Sequence, residues 1–291
     1  MSSFLYRHVL TRTASSQITK RHISSTEISP EIFKYPTGQL LESFTAPKEK
    51  QQYPLSFKGQ TELFPQFNGL PEVVVIGRAN SGKSALFNAV LGRKDLIKSS
   101  KTPGKTKSLD FFRVGPSPGK LILVDAPGYG YRGRPEWGRL VDSYIQDRAE
   151  LRRIYMTFNA SHRPTKLDLE MLSYLSRMIL QSLSSSWALS VESGTPRLPR
   201  ITQIQPVFTK ADTLKHLPTG ETRPLVEQST SDIYETVRRC LDETGTGGVG
   251  VSSQELAKLV CLPPLLTSVI YRPLFGIAEI RRNIVEACSG G

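Results

Sequence analysis

The sequence predicts an α/β fold: a six-stranded, mostly parallel sheet with one antiparallel edge strand and helices on both faces. Three observations carry this. The apolar run Glu72-Val-Val-Val-Ile76 leads into Gly77-Arg-Ala-Asn-Ser-Gly-Lys83-Ser84 and then into the helical stretch Ser84-Ala-Leu-Phe-Asn-Ala-Val-Leu91. Two further apolar runs, Lys120-Leu-Ile-Leu-Val124 and Gln205-Pro-Val-Phe208, end at Asp125 and at Thr209. Consecutive apolar residues without alternation mark strands covered on both faces, as parallel sheets require. Gly115-Pro-Ser-Pro-Gly119 is a hairpin turn, so the strands on either side of it run antiparallel.

Taken in order, the first strand is 72–77, with its helix at 83–92. Leu109-Asp-Phe-Phe-Arg-Val114 is the second strand and 120–125 the third. A helix at 135–152 and a strand at 154–159 follow. The helix at 165–182 carries Leu167, Leu169, Met171, Leu172, Leu175, Met178 and Ile179 at helical spacing, which reads as core packing. A strand at 204–209, a helix at 231–242, a strand at 265–270 and a helix at 276–287 complete the domain, which spans 66–291. Residues 183–203, rich in Ser, Pro and Gly, and residues 213–230, with Pro218, Gly220 and Pro224, read as insertions. Gly245-Thr-Gly-Gly-Val-Gly250 is a flexible loop, not a dinucleotide fingerprint, because no strand leads into it. Recurrent prolines (Pro30, Pro36, Pro47, Pro54, Pro65) make 24–65 an irregular extension.

The chemistry sits at the strand ends. Gly77, Arg78, Ala79, Asn80, Ser81, Gly82, Lys83 and Ser84 fit G-x-x-x-x-G-K-[ST] between a strand and a helix, with Ala85 next in the helix. Loop N–H groups and the helix dipole face an anion there, Lys83 adds a point charge, and the Ser84 hydroxyl can bind Mg²⁺. Asp125, Ala126, Pro127 and Gly128 end the third strand; Asp125 can hold the hydration shell of Mg²⁺, and the Gly128 N–H can approach a γ-phosphate. Thr209, Lys210, Ala211 and Asp212 match [NT]-K-x-D, whose carboxylate accepts the two N–H donors that guanine has and adenine lacks. Thr267, Ser268 and Val269 lie where such domains place a short turn against the guanine O6. In this order the motifs describe a P-loop G domain that binds GTP and GDP. A P-loop ATPase or kinase is disfavoured by Thr209-Lys-Ala-Asp212.

Composition bounds the rest. The 291 residues hold 38 Lys+Arg against 26 Asp+Glu, a net charge of +12 that suits an anionic partner such as nucleic acid. Cys240, Cys261 and Cys288 lack metal-ligand spacing and read as free thiols of a reducing compartment. No apolar run reaches the ~20 residues that span a bilayer. Residues 1–26 contain Arg7, Arg12, Lys20 and Arg21, ten Ser or Thr, and no acid. That is the composition of a mitochondrial transit peptide, with Arg21-His-Ile23 before Ser24 as the cleavage point and the mitochondrial matrix as destination. The alternative is a basic arm that stays on the protein and binds RNA. Removing 1–23 takes four positive charges from +12 and leaves +8, so the mature chain is still basic.

Lys98-Ser-Ser-Lys-Thr102-Pro-Gly-Lys-Thr106-Lys resembles the first switch of the EngB (YihA/YsxC) family, with its S-K-T-P-G-K-T core. Gly77 to Ser84 is similar to that family's G-R-S-N-V-G-K-S, and Asp125-Ala-Pro-Gly-Tyr-Gly-Tyr131 to its D-x-P-G-Y-G-Y. Trp137-Gly138 and His162-Arg-Pro164-Thr-x-x-Asp168 fall at matching places, and the resemblance covers roughly 70–287. It implies a GTPase acting in assembly of the large ribosomal subunit, here the mitochondrial one, whose precursor and rRNA would be the partners of a monomer. Lys83 would contact the β- and γ-phosphates, Ser84 would ligate Mg²⁺, and Asp125 would reach it through water. Thr106 would be the switch threonine that closes on Mg²⁺, with Thr102 as the fallback. Gly128 would sense the γ-phosphate, Lys210 would lie along the guanine, and Ser268 would support its carbonyl side. Asn80 sits where potassium-activated relatives place a K⁺ ligand, which makes K⁺ a further candidate.

Some residues depart from the pattern. The family's D-x-R-H-G-P appears as Asn159-Ala-Ser-His-Arg-Pro164, and the insertions are longer than in bacterial members. Tyr129 stands where many G proteins have a water-orienting Gln, so slow intrinsic turnover is expected. Lys98, Lys101, Lys105 and Lys107, then Arg132 and Arg134, then Arg139 and Arg148, form a basic set beside the switches that could meet rRNA phosphates. The rival reading is a non-hydrolysing, GTP-stabilised RNA-binding or scaffold protein.

Overall fold

In the computed structural model, the described residues are 41–44, 55–57, 64–93, 96–97, 108–116, 119–130, 135–192, 202–216, 222–243, 253–271 and 273–289. Strands β1 (Leu55–Phe57), β2 (Glu72–Gly77), β3 (Leu109–Val114), β4 (Leu121–Asp125), β5 (Leu151–Asn159), β6 (Gln203–Thr209) and β7 (Leu265–Leu266) form one sheet in the order β1-β3-β4-β2-β5-β6-β7. β4, β2, β5, β6 and β7 run parallel, and β3 pairs antiparallel with β4 through the expected hairpin. β1 lies within the stretch expected to be irregular, and it adds a seventh, antiparallel strand outside β3.

Every residue of β2 and of β4 is buried, because helices cover both faces of the sheet. The side-chain period of two divides each strand between two cores. Val73, Val75, Leu121 and Leu123 face helices α1 (Lys83–Val90) and α6 (Ile277–Ser289), meeting Phe87, Val90, Ile280 and Ile284. Val74, Ile76, Ile122, Val124 and Ile154 face α2 (Pro135–Asp147), α3 (Lys166–Glu192), α4 (Thr222–Glu243) and α5 (Ser253–Val260). There they meet Tyr144, Leu172, Leu175, Ile233, Val237 and Val260.

Several boundaries differ from the sequence reading. α3 runs on to Glu192, so 183–192 are helix rather than loop; the Ser run is tolerated because Ser costs a helix only a few tenths of a kcal/mol, about 0.5. α4 begins at Thr222, and Pro224 falls in its first turn, where the missing N–H has no intrahelical partner to lose. α5 went unpredicted; its burial rests on Ala257 and Val260, one turn apart. α2 ends at Asp147, β5 starts at Leu151, and β7 is two residues long. Leu167, expected in the core, is exposed.

At the N-terminal end of the sheet, Glu72 is fully buried against Arg148 and Tyr144. Arg148 Nε donates to Glu72 Oε1 at 3.0 Å, and the Tyr144 hydroxyl donates to Oε2 at 2.7 Å. Burial pushes the Glu72 carboxyl up, and the bonds from Arg148 and Tyr144 oppose that. Arg148 was expected on an RNA-facing surface; it is buried in this pair and cannot serve there. Arg139 is exposed.

Asn88 of α1 clamps the chain that follows. Its Nδ2 donates to Ile97 O at 2.8 Å, and Ile97 N donates to its Oδ1 at 2.9 Å, all buried. Asn88→Ala strands both backbone groups, and urea unfolding should show a loss of about 1–3 kcal/mol. A change below ~0.5 kcal/mol would contradict this role.

Candidate functional site

The C-terminal ends of β2, β4, β5 and β6 build the site, as expected where parallel strands hand over to loops. The loop from Gly77 to Lys83 wraps through two positive-φ residues, Asn80 (64°) and Gly82 (93°). Asn accepts this conformation better than other side-chain-bearing residues. A Cβ on Gly77 would sit 2.0 Å from Thr157 Oγ1, so only glycine lets β5 approach the loop's start. Ser81 and Thr157 share a hydroxyl–hydroxyl bond of 2.6 Å beneath the loop. Sequence reasoning missed Thr157, because a lone threonine in an apolar strand carries no signal.

Lys83 opens α1 and is almost wholly buried. Its Nζ donates to Gly77 O at 2.9 Å and to Arg78 O at 2.8 Å. Burial brings its pKa down to about 8, with the Asp125 charge pulling the other way. Ala85 is exposed on the same helix.

Asp125 at the end of β4 faces Ser84, whose Oγ donates to Oδ2 at 3.4 Å. Burial raises this carboxyl to about 7, while Lys83 lowers it, Asp110 raises it and Ser84 lowers it. Asp125 Oδ1 is buried with no hydrogen-bond partner. An orphaned buried carboxylate oxygen beside a hydroxyl fits a hard, oxygen-seeking cation such as Mg²⁺, directly or through its water. Ala126, Pro127 and Gly128 follow, and a Cβ on Gly128 would lie 2.9 Å from Ala79 N and 3.1 Å from Lys83 Nζ. Gly128 therefore lies directly against the phosphate loop. Thr106 and Thr102, together with Lys98, Lys101, Lys105, Lys107, Arg132 and Arg134, lie outside the described residues.

A second loop meets the first. The hydroxyl of Thr209, at the end of β6, sits 2.5 Å from Ser81 O and 3.0 Å from Phe158 O. Thr209 thereby joins Thr209-Lys-Ala-Asp212 to the phosphate loop. Lys210 takes a positive φ of 57°, and Thr213 N donates to Lys210 O at 2.9 Å. This turn sets Asp212 against Ser268, whose Oγ donates to Asp212 Oδ1 at 2.6 Å. Ala211 N donates to Thr267 O, and Thr267 N donates to Phe208 O, so the turn after β7 is fastened to the Asp212 loop. Val269 packs half-buried against the α1–α6 core.

The Gly77–Ser84 loop, the Ser84–Asp125 pair and a carboxylate bonded by a serine are thus brought together at the strand ends. Such an arrangement can hold a nucleotide's phosphates at one end and read a base edge at the other. Residues 72–184 match the family described as 50S ribosome-binding GTPase. The "Probable GTP-binding protein EngB" of Pediococcus pentosaceus is 41% identical over 119 residues, which is 39% of this chain and 59% of that protein. The protein of the same name from Streptococcus pyogenes is 41% identical over 117 residues, 38% of this chain and 57% of its own. Over this stretch the chain is similar to those EngB proteins. The match spans less than two thirds of those relatives' length.

The domain also shares its fold with solved structures. A dimerization-deficient mutant of Toc33 from Arabidopsis thaliana superposes with a TM-score of 0.53 at 13% identity, covering 87% of this chain and 91% of that one. Toc33 in complex with GDP and Mg²⁺ gives 0.51 at 12%, covering 76% and 85%. At this identity the likeness is one of fold alone. Among the described residues no helix is long and apolar enough to cross a membrane, and no His, Cys, Asp and Glu residues gather in metal-holding groups of three or more.

Proposed function

We propose that this protein is a GTP-binding and GTP-hydrolysing switch that acts in assembly of the mitochondrial large ribosomal subunit, through nucleotide-gated binding to its precursor and rRNA. The Thr209 link supports the nucleotide half of this reading: its hydroxyl ties Thr209-Lys-Ala-Asp212 to the Gly77–Lys83 loop. Lys83 would hold the β- and γ-phosphates, Asp212 the guanine edge and Gly128 the γ-phosphate. Ser84 and Asp125, with Thr106 from the first switch, would hold Mg²⁺, which neutralises charge on the phosphates. Asn80 is exposed at the loop's crest, so a K⁺ bound there would have access from solvent.

The ribosomal half draws on the likeness to EngB proteins and to the 50S ribosome-binding GTPase family, and on the basic charge. The organelle draws on the acid-free, arginine-bearing leader. Co-sedimentation of the full chain with mitochondrial ribosomal particles, in a GTP analogue, GDP or no nucleotide, tests the gate. Binding in the analogue alone is expected, and equal binding in all three would reject it. A fusion of residues 1–23 to a reporter should enter mitochondria, and a cytosolic reporter would remove the organelle from the proposal.

A second reading, a non-hydrolysing GTP-stabilised scaffold, has one observation behind it. Tyr129 is buried and its hydroxyl is committed to Asp168, so it is not placed to orient a water. Multiple-turnover phosphate release with ribosomal particles present separates the two readings.

A further inference from the structure

Tyr129 follows Gly128 directly, yet its side chain turns away from the phosphate loop and into the protein. The phenol is almost wholly buried, and its hydroxyl donates to Asp168 Oδ1 at 2.9 Å. Asp168 lies in the first turn of α3 and is itself buried. Its other oxygen, Oδ2, accepts from Thr165 N at 2.9 Å and from Thr165 Oγ1 at 2.7 Å. Arg78 of the phosphate loop reaches the same corner, with NH1 3.8 Å from Asp168 Oδ2 and 3.3 Å from Thr165 Oγ1. Gly130, at the positive φ of 99° that favours glycine, lies beside Leu167 at the start of α3. One carboxylate therefore gathers the phosphate loop, the segment after Asp125 and the start of α3.

The strengths of these contacts are unequal. The backbone ties between the Tyr129 segment and the phosphate loop are long: Tyr129 N to Gly77 O is 3.3 Å, and Ala79 N to Tyr129 O is 3.4 Å. The phenol–carboxylate bond is buried and charge-assisted, which makes it the stronger restraint. It acts one residue from Gly128, which lies against Ala79 and Lys83. In the arrangement so held, two of the three Lys83 Nζ–H donors go to the carbonyls of Gly77 and Arg78. A γ-phosphate that engages the Gly128 N–H would pull on this segment, and the Tyr129–Asp168 bond would resist that pull. A buried tyrosine needs some partner in any fold. Here that partner is a carboxylate whose other oxygen also faces Arg78, so the bond joins the residue after Gly128 to the Gly77–Lys83 loop.

We propose that Asp168 is a positioning residue for the nucleotide switch: by holding the Tyr129 hydroxyl it latches the Gly128 segment in its resting place, so that binding a triphosphate must work against this bond while binding a diphosphate does not. The proposal rests on the guanine-nucleotide reading above. Releasing the latch favours the triphosphate state.

The test measures the affinities of the full chain for GDP and for a non-hydrolysable GTP analogue, with Mg²⁺, in wild type and three variants. Tyr129→Phe removes only the hydroxyl, and the ratio of analogue to GDP affinity should rise about tenfold, the worth of one hydrogen bond to a charged group. Asp168→Asn keeps an acceptor for the phenol and should restore most of the wild-type ratio. Thr165→Val removes a bond to Asp168 Oδ2 and should lower the melting temperature with the ratio unchanged. If Tyr129→Phe lowers stability but leaves the ratio within twofold of wild type, or shifts it toward GDP, the latch is wrong. If wild type binds neither nucleotide, the guanine reading has failed instead, and the two failures are distinguishable.

Discussion

Lys83→Ala should weaken binding of both GTP and GDP by about a hundredfold or more. The protein keeps this ammonium in a place that disfavours a cation: it is almost wholly buried, and burial draws its pKa down to about 8. Two carbonyls of its own loop and the facing Asp125 offset that cost. Phosphate oxygens would offset it far better, because a charge-assisted bond is stronger than one to a neutral carbonyl. Truncating one partner of a buried, hydrogen-bonded charge pair costs about 2–5 kcal/mol, or thirtyfold to several thousandfold in affinity. The variant also strips Asp125 of its nearby positive charge, which should push that carboxyl higher still and weaken Mg²⁺ retention. Titration with a fluorescent guanine nucleotide, with circular dichroism to verify the fold, measures it. An affinity within threefold of wild type would mean that phosphates do not bind here.

The next largest effect is on selectivity. Asp212→Ala should cut the preference for GTP over ATP by about a thousandfold or more, mainly through loss of GTP affinity. Asp212 is nearly buried, with one oxygen engaged by Ser268. Against guanine the remaining lone pairs would meet two N–H donors; against adenine they would meet none and stay unpaired. Sites built around a buried polar group reject the analogue that leaves it unpaired by about 10⁴–10⁵. Ser268→Ala, which removes the bond that aims the carboxylate, should cost less, about tenfold. Parallel GTP and ATP titrations of the two variants give the answer. Unchanged selectivity in Asp212→Ala would remove the base-reading assignment.

Most of what positions this site could be read from the chain because it depends on local rules. Three valines followed by Gly77 and Lys83-Ser84 dictate a buried strand, a tight loop and a helix start, and β2 and α1 begin where those rules place them. The end of β4 at Asp125 and of β6 at Thr209 follow from the same change from apolar to polar residues. What stayed hidden depends on pairs distant in sequence. Glu72 and Arg148 are 76 residues apart, and nothing local shows that the arginine is used in the interior rather than on an RNA-facing surface. Thr157 and Ser81 meet only because β5 lies beside β2. Tyr129 could be read as the absence of a glutamine, but its engagement with Asp168 needed α3 to be placed. Helix ends were blurred by Ser and Pro, whose cost depends on where in the helix they fall: Pro224 in a first turn costs little, where mid-helix it would have broken α4.

The central claim is that one pocket grips phosphates and selects guanine. Competition at equilibrium tests it most directly: full-length protein loaded with fluorescent GDP and Mg²⁺ is challenged with unlabelled GTP or ATP. The account predicts displacement by equimolar GTP and none by a hundredfold excess of ATP, a difference in free energy of at least about 2.7 kcal/mol. Equal displacement by the two, or failure to load at all, would contradict it.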